Sequence, residues 1–317
     1  MFLKYEEDRV FRFGYYLLGS FIIIIFNIIG QIPLLIVFIS SLATKSDEVD
    51  VSALNPMELL NIIPSNTRLF LMLFPFAFTF IGLWLVVKKI HEKSMRSIVT
   101  SRNKLDFGRI FFAFTLWASL TLCMVSYDYL TSPENYIWNF KPIPFLIMFF
   151  IAIIFVPLQT SLEEYVFRGY LMQGFGNLFR NRWAPLLFTS IIFGSLHIAN
   201  PEVGKLGYGI MVYYIGTGLF LGIMTLMDEG VELAIGWHAA NNLVGALLVT
   251  ADWTAFQTYS IYKDISDPTS MSNSEIILPV LIIFPTLIII FSKIYNWSNW
   301  YERLAGPVRD LSTTDEK

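Results

Sequence analysis

Charge is scarce in this sequence. Of 317 residues, 15% are Asp, Glu, Lys or Arg and 55% are hydrophobic, whereas a soluble domain carries about 25% charged residues. That balance excludes a disordered chain and argues against a soluble enzyme. Cysteine is scarcer still. Cys123 stands alone, so no intramolecular disulfide forms and a disulfide-stapled scaffold is excluded. Within its apolar run Cys123 reads as a small buried hydrophobe. Nor is there an excess of positive charge. The 22 Lys and Arg against 25 Asp and Glu leave a net −3, which gives no support to a nucleic-acid partner. Histidine occurs only at positions 91, 197 and 238. What the chain has in plenty is uninterrupted apolar sequence.

Eight runs lack Asp, Glu, Lys and Arg altogether: Tyr16–Ala43, Leu69–Val87, Ile110–Tyr127, Ile143–Leu162, Trp183–Ala199, Gly207–Met227, Leu233–Ala251 and Ile276–Ser292. A helix crossing a bilayer core needs roughly 17–25 such residues. The fold class predicted is therefore all-α integral membrane. About eight transmembrane helices would form one polytopic domain over residues 1–317, ending in a polar cytoplasmic tail from 297 to 317. The first run is too long for the core of a signal peptide. It is also preceded by mixed charges (Lys4, Glu6, Glu7, Asp8, Arg9, Arg12), so it reads as an uncleaved span. Lys and Arg concentrate in the N-terminal arm, the 88–109 connection, the Arg180/Arg182 turn and the tail from Lys293. The positive-inside rule then puts both termini in the cytoplasm.

Smaller features follow from the same map. Trp138, Trp183, Trp297, Trp300 and Tyr301 fall near predicted ends, at headgroup level. The 88–109 connection reads as an ordinary cytoplasmic loop before it reads as a lipid-binding patch. Glu202, Asp228, Glu229 and Glu232 fall at predicted ends and are expected to be solvated. Gly218 and Gly222 make a small-residue seam for packing within the chain. The aromatic residues are expected to be lipid-facing bulk.

Ionisable groups within spans are costly and mark functional sites. Here they gather on or beside three runs: Glu163, Glu164 and Arg168 just after the fourth, His197 on the fifth, and His238 with Asn242 on the seventh. Residues four apart share a helix face, so Glu164 reaches Arg168, Phe193 lies over His197, and His238 lies over Asn242. A hairpin turning near Arg180 would place Glu163 and His197 level, each 17 residues from the turn. Two adjacent carboxylates at depth need a cation, and Arg168 supplies it. A carboxylate to take a proton from water, a histidine to share that work and donors for an oxyanion are what hydrolysis requires. Glu163, His197 and His238 also match the two-His, one-carboxylate ligand set of catalytic zinc. No His-Glu-x-x-His motif is present, so a divalent metal is permitted rather than indicated.

Glu163-Glu164-x-x-x-Arg168, Phe193-x-x-x-His197 and His238-x-x-x-Asn242, in that order on separate apolar helices, resemble the CAAX protease and bacteriocin-processing family. A Ras-converting CAAX endopeptidase is among its members. The resemblance covers residues 143–251, which would form the catalytic core from helices four to seven. It implies an intramembrane endopeptidase using a glutamate-activated water, with a peptide or membrane-protein substrate. Glu163 would be the general base and His197 its partner. Glu164 and Arg168 would orient and charge-balance the site, and His238 and Asn242 would stabilise the oxyanion. Asn241 is set aside because only Asn242 keeps the four-residue spacing. Members are often called metalloproteases, and a metal-free glutamate mechanism fits the same residues. Two other readings stay open: a non-enzymatic scaffold or immunity protein that keeps the cluster as an ion-pair staple, and a proton-coupled transporter.

One tension concerns depth. Asn200-Pro201-Glu202 follows His197 closely and draws it toward the outer face, whereas Glu163 and His238 favour the cytoplasmic half. A short fifth helix with a recessed loop, or different span ends, would resolve it.

Overall fold

The computed structural model describes residues 2–3, 12–45 and 59–308. Lys4 to Arg9, and Arg309 to Lys317 of the tail, which carry part of the orientation argument, lie outside the described residues. Six described helices are long and apolar enough to cross a membrane: α1 (Phe13–Thr44), α2 (Ser65–Ile90), α3 (Phe107–Thr131), α4 (Pro142–Phe179), α6 (Tyr208–Asp228) and α8 (Ser274–Ile294). Between them, α5 (Trp183–Ser195) and α7 (Glu232–Leu248) have 13 and 17 residues. At about 1.5 Å per residue both fall short of a core about 30 Å thick.

Among the described residues, six of the eight expected spans are thus matched by helices of full spanning length. The fifth run stops being helical at Ser195, ahead of Asn200-Pro201. The seventh run ends in a strand, because β-branched Val249 and Thr250 pair edgewise instead of continuing the helix. That strand, β2 (Val249–Ala251), lies parallel to β3 (Tyr262–Asp264), which in turn pairs antiparallel with β1 (Tyr136–Trp138). This small sheet, absent from the all-α expectation, joins the end of α7 to the connection between α3 and α4.

The inner helices are α4, α5, α6 and α7. α7 packs against both α3 and α4, α5 against α6 and the end of α4, while α1 lies outside on α2. Apolar lipid gives helices little hydrophobic reason to associate, so close contact relies on small residues. A Cβ on Gly218 would lie 2.9 Å from the Ser190 Cα. The Gly218/Gly222 seam is thus an α5–α6 contact within the chain, as expected. The turn near Arg180 is also present, with Arg180 itself in the left-handed region at φ 52°.

Three expectations need correcting. Cys123 is exposed rather than buried. α3 buries Ala113 and Trp117 and turns its Cys123 side outward. The aromatic residues are not all lipid-facing bulk. Trp237 is fully buried and packs against Trp117, Phe220 and Phe284 at centroid separations of 4.9, 5.1 and 5.6 Å. The acids at helix ends are not simply solvated. Asp228 accepts from Arg102 (2.8 Å), Arg109 (2.9 Å) and the indole N–H of Trp297 (3.2 Å), and Glu232 accepts from Arg102 (3.1 Å). Trp297 is accordingly buried and not at headgroup level, whereas Trp138, Trp183, Trp300 and Tyr301 are exposed. The connection between α2 and α3 is folded against the α6–α7 turn by the same network. Val231 N–H donates to the Val99 carbonyl there, and Ser101 N–H to that of Glu229.

Candidate active site

α4 carries three of the six motif residues, and two irregularities frame them. Pro157 removes a backbone donor from the helix interior, and from Tyr165 to Leu171 the helix widens into π turns. Between them lies one regular stretch that sets Gln159 and Glu163 on one face and turns Glu164 toward the protein interior.

Glu164 and Arg168 are both fully buried. One oxygen, Glu164 Oε1, accepts from Arg168 Nη1 at 3.0 Å and from His238 Nδ1 at 2.8 Å. Arg168 Nη2 donates to the Gly218 carbonyl at 3.2 Å, and its guanidinium lies 4.3 Å from the Phe193 ring centroid. This pair therefore fastens α4 to α5, α6 and α7 at one level. Removing either partner would leave a buried charge uncompensated.

Glu163 is held differently. Its side chain keeps 16% exposure, Oε1 accepts from Gln159 Nε2 at 3.0 Å, and Oε2 lies 3.7 Å from His238 Nε2. His238 thus turns one ring nitrogen toward each carboxylate, with Nδ1 hydrogen-bonded to Glu164 and Nε2 outside hydrogen-bond distance of Glu163.

His197 lies in the turn after α5, so the short fifth helix is the resolution of the depth tension that the structure supports. Its Nδ1 donates to the Phe193 carbonyl at 2.8 Å, which leaves Nε2 as an acceptor. The ring stacks on Tyr214 at 4.5 Å and 25°, and the Tyr214 hydroxyl accepts from Asn200 Nδ2 at 3.4 Å. Phe193 stands between the histidines, 4.8 Å from the His197 ring and 6.0 Å from the His238 ring.

Of the six motif residues, Glu163, Glu164, Arg168 and His238 form one contact cluster, and His197 joins it through Phe193. Asn242 follows His238 by one helical turn, but its Oδ1 accepts from Asn241 Nδ2 at 3.2 Å, and Asn241 in turn accepts from the Trp117 indole N–H at 3.1 Å. Sequence reasoning missed Gln159 and Tyr214. Gln159 had a legible signal, a polar residue within a span and four residues before Glu163; Tyr214 had none among so many aromatics. The third histidine, assigned only to a basic loop, is buried with Nε2 3.0 Å from the Tyr170 hydroxyl.

Three donors that converge are the minimum for a resident metal. Among the described residues no group of three His, Cys, Asp or Glu side chains is arranged to hold one. The set Glu163, His197 and His238 does not form a cage in this arrangement, and no step below is routed through a metal.

Residues 142–244 match the family described as type II CAAX prenyl endopeptidase Rce1-like. Over that segment the chain resembles these endopeptidases. The matched segment contains all six motif residues, and it overlaps the core expected at 143–251. The Bacillus subtilis (strain 168) protein YyaK, described as uncharacterized, is 34% identical over 179 residues, which is 55% of this chain and 59% of that protein. The match therefore spans less than two thirds of its relative's length. No solved structure matches the chain. With six apolar helices of spanning length and a membrane-associated family, this is a multi-pass integral membrane protein.

Proposed function

We propose that the chain is an intramembrane endopeptidase that hydrolyses a peptide bond of a membrane-associated or peptide substrate. The observation that carries this reading is the unequal treatment of two adjacent carboxylates. Glu164 is buried and tied to Arg168 and His238 through one oxygen, whereas Glu163 keeps 16% exposure and is held by a single amide. An ion-pair staple has no use for the second arrangement. A general base does.

In this mechanism Glu163 takes a proton from water, and the water oxygen attacks the scissile carbonyl carbon. His197 shares that proton through Nε2, the nitrogen left as acceptor when Nδ1 donates to Phe193. Negative charge then develops on the former carbonyl oxygen. The Asn242 amide N–H groups supply donors for it, and His238 Nε2 adds one when its ring carries a second proton. Glu164 fixes the His238 ring from the opposite nitrogen, and Arg168 holds Glu164 in place through a 3.0 Å bond to the same oxygen. As the C–N bond breaks, Glu163 returns the proton to the leaving amine. The CAAX prenyl endopeptidase resemblance makes a prenylated peptide the first substrate class to offer, and residues 143–251 are the catalytic core in this reading.

The test compares peptide termini in membranes carrying the native chain or Glu163→Gln at matched expression. New termini found only with the native chain would establish proteolysis and name its substrates. Identical termini, with the variant still rescuing a deletion phenotype, would leave a scaffold. Solute or proton flux in proteoliposomes with no cleavage would point to transport.

A further inference from the structure

Gln159 is outside the three motifs, and no part of the mechanism above requires it. Its side chain is nonetheless buried at 8% exposure within the membrane-spanning part of α4. Nε2 donates to Glu163 Oε1 at 3.0 Å, while Oε1 is buried and has no hydrogen-bond partner among the described residues. A glutamine kept only for packing would satisfy both ends or be replaced by an apolar side chain, because an unmet buried acceptor is costly. The orientation of the amide follows from chemistry, since an ionised Glu163 is acceptor-only and only the NH₂ end can face it.

The backbone holds this pair in register. Thr160 Oγ1 donates to the Val156 carbonyl at 3.1 Å, one turn back beside Pro157. The π turns begin only at Tyr165. The regular i to i+4 spacing between Gln159 and Glu163 is thus preserved where helix irregularity on either side would disturb it.

We propose that Gln159 is the positioning residue of Glu163, fixing the carboxylate so that Oε2 faces the attacking water, with its own free Oε1 completing the polar wall of that water's site. This rests on the protease reading and deepens it. Losing a hydrogen bond to a charged acceptor of this kind corresponds to a rate loss of about 10- to 100-fold. The loss should fall on kcat with KM unchanged, because Gln159 acts through Glu163 and not through substrate binding.

The test uses the full chain in proteoliposomes and a quenched-fluorescence peptide with a farnesylated cysteine near its carboxyl end. Native, Gln159→Met, Gln159→Glu, Glu163→Gln and the Gln159→Met/Glu163→Gln double variant are compared, each checked for native thermal unfolding. Support is a kcat loss of that size in Gln159→Met with unchanged KM, an equal or larger loss in the isosteric Gln159→Glu, and no further loss when Gln159→Met is added to Glu163→Gln. A residue important only for folding would lower the residual rate of the double variant as well. Native kcat in Gln159→Met, with Glu163→Gln inactive, overturns the role of Gln159 and leaves the protease reading intact. If Glu163→Gln cleaves as the native chain does, the protease mechanism itself is overturned. Should Gln159→Met misfold, Gln159→Asn takes its place, because it stays neutral and polar and withdraws the amide from Glu163 by one methylene.

Discussion

Among the described residues, two clusters of buried charge are compensated differently. At the α6–α7 turn, Asp228 and Glu232 are served by two arginines, Arg102 and Arg109, with the Trp297 indole and the Asp106 N–H completing the set. Within α4, Glu163 and Glu164 share one arginine, and that arginine goes to Glu164 alone. The first cluster leaves no carboxylate in want of a cation. The second leaves Glu163 with an amide at 3.0 Å and an imidazole at 3.7 Å. Full compensation makes a staple that joins a loop to a helix end. In the proposed mechanism, the carboxylate without an arginine is the one that takes a proton from water. The same residue types thus stand in two arrangements, told apart by whether each buried carboxylate bonds an arginine.

The largest effect should come from Glu163→Gln. Cleavage should fall by about 10²- to 10⁴-fold, the range of a lost general base, while stability changes by no more than about 0.5 kcal/mol. Terminus mapping and thermal unfolding on one preparation read both quantities. A stable variant that still cleaves would dissolve the distinction between the clusters. The converse substitution is Asp228→Ala, which takes one of two carboxylate partners from each of Arg102 and Arg109 and leaves the Trp297 indole without its acceptor. Stability should drop by about 1–3 kcal/mol, and the protein that remains folded should cleave at the native rate. Lost activity without lost stability would move the α6–α7 turn into the working machinery. Glu164→Gln belongs to both classes. It leaves Arg168 buried without its counter-charge and releases His238, so stability and kcat should decline together, measured by unfolding and by peptide cleavage.

The helical frame was legible because charge is excluded from lipid so strictly that eight uncharged runs mark eight helices. Length within the protein was less legible. Helices shielded by other helices need not cross the whole core, so α5 ends at Ser195 and α7 turns into a strand at Val249. The cluster of Glu163, Glu164, Arg168 and His238 could be read because four-residue spacing fixes a shared face whatever the tertiary arrangement. Asp228 and Glu232 were misread for the same reason that made the spans easy. A helix end is usually wet, and only the fold brings Arg102 across from another connection, 126 residues away in sequence from Asp228. The small sheet gave no periodic signal, as three-residue strands cannot.

Glu202 extends the comparison to a carboxyl with no cation at all. Expected to be solvated, it is instead half-buried on the helix Pro201–Leu206. Oε1 accepts from the Ala255 N–H at 2.9 Å, and Oε2 is buried without a hydrogen-bond partner among the described residues. Burial pushes this carboxyl above the usual range, and the Ala255 N–H offsets only part of that. A carboxyl raised on folding adds stability that is fully present below its unfolded pKa, and that contribution is lost as pH rises through the folded value. Glu202→Gln stays neutral at every pH and keeps an oxygen for Ala255. Below the ordinary glutamate pKa of about 4.3 the variant and the native chain should unfold at the same temperature. As pH rises through the elevated value, the variant should become the more stable. Thermal unfolding across that pH range measures the gap. A gap that opens toward acid instead would mean that the folded protein favours the Glu202 anion, and cation count would then no longer rank these three carboxylate environments.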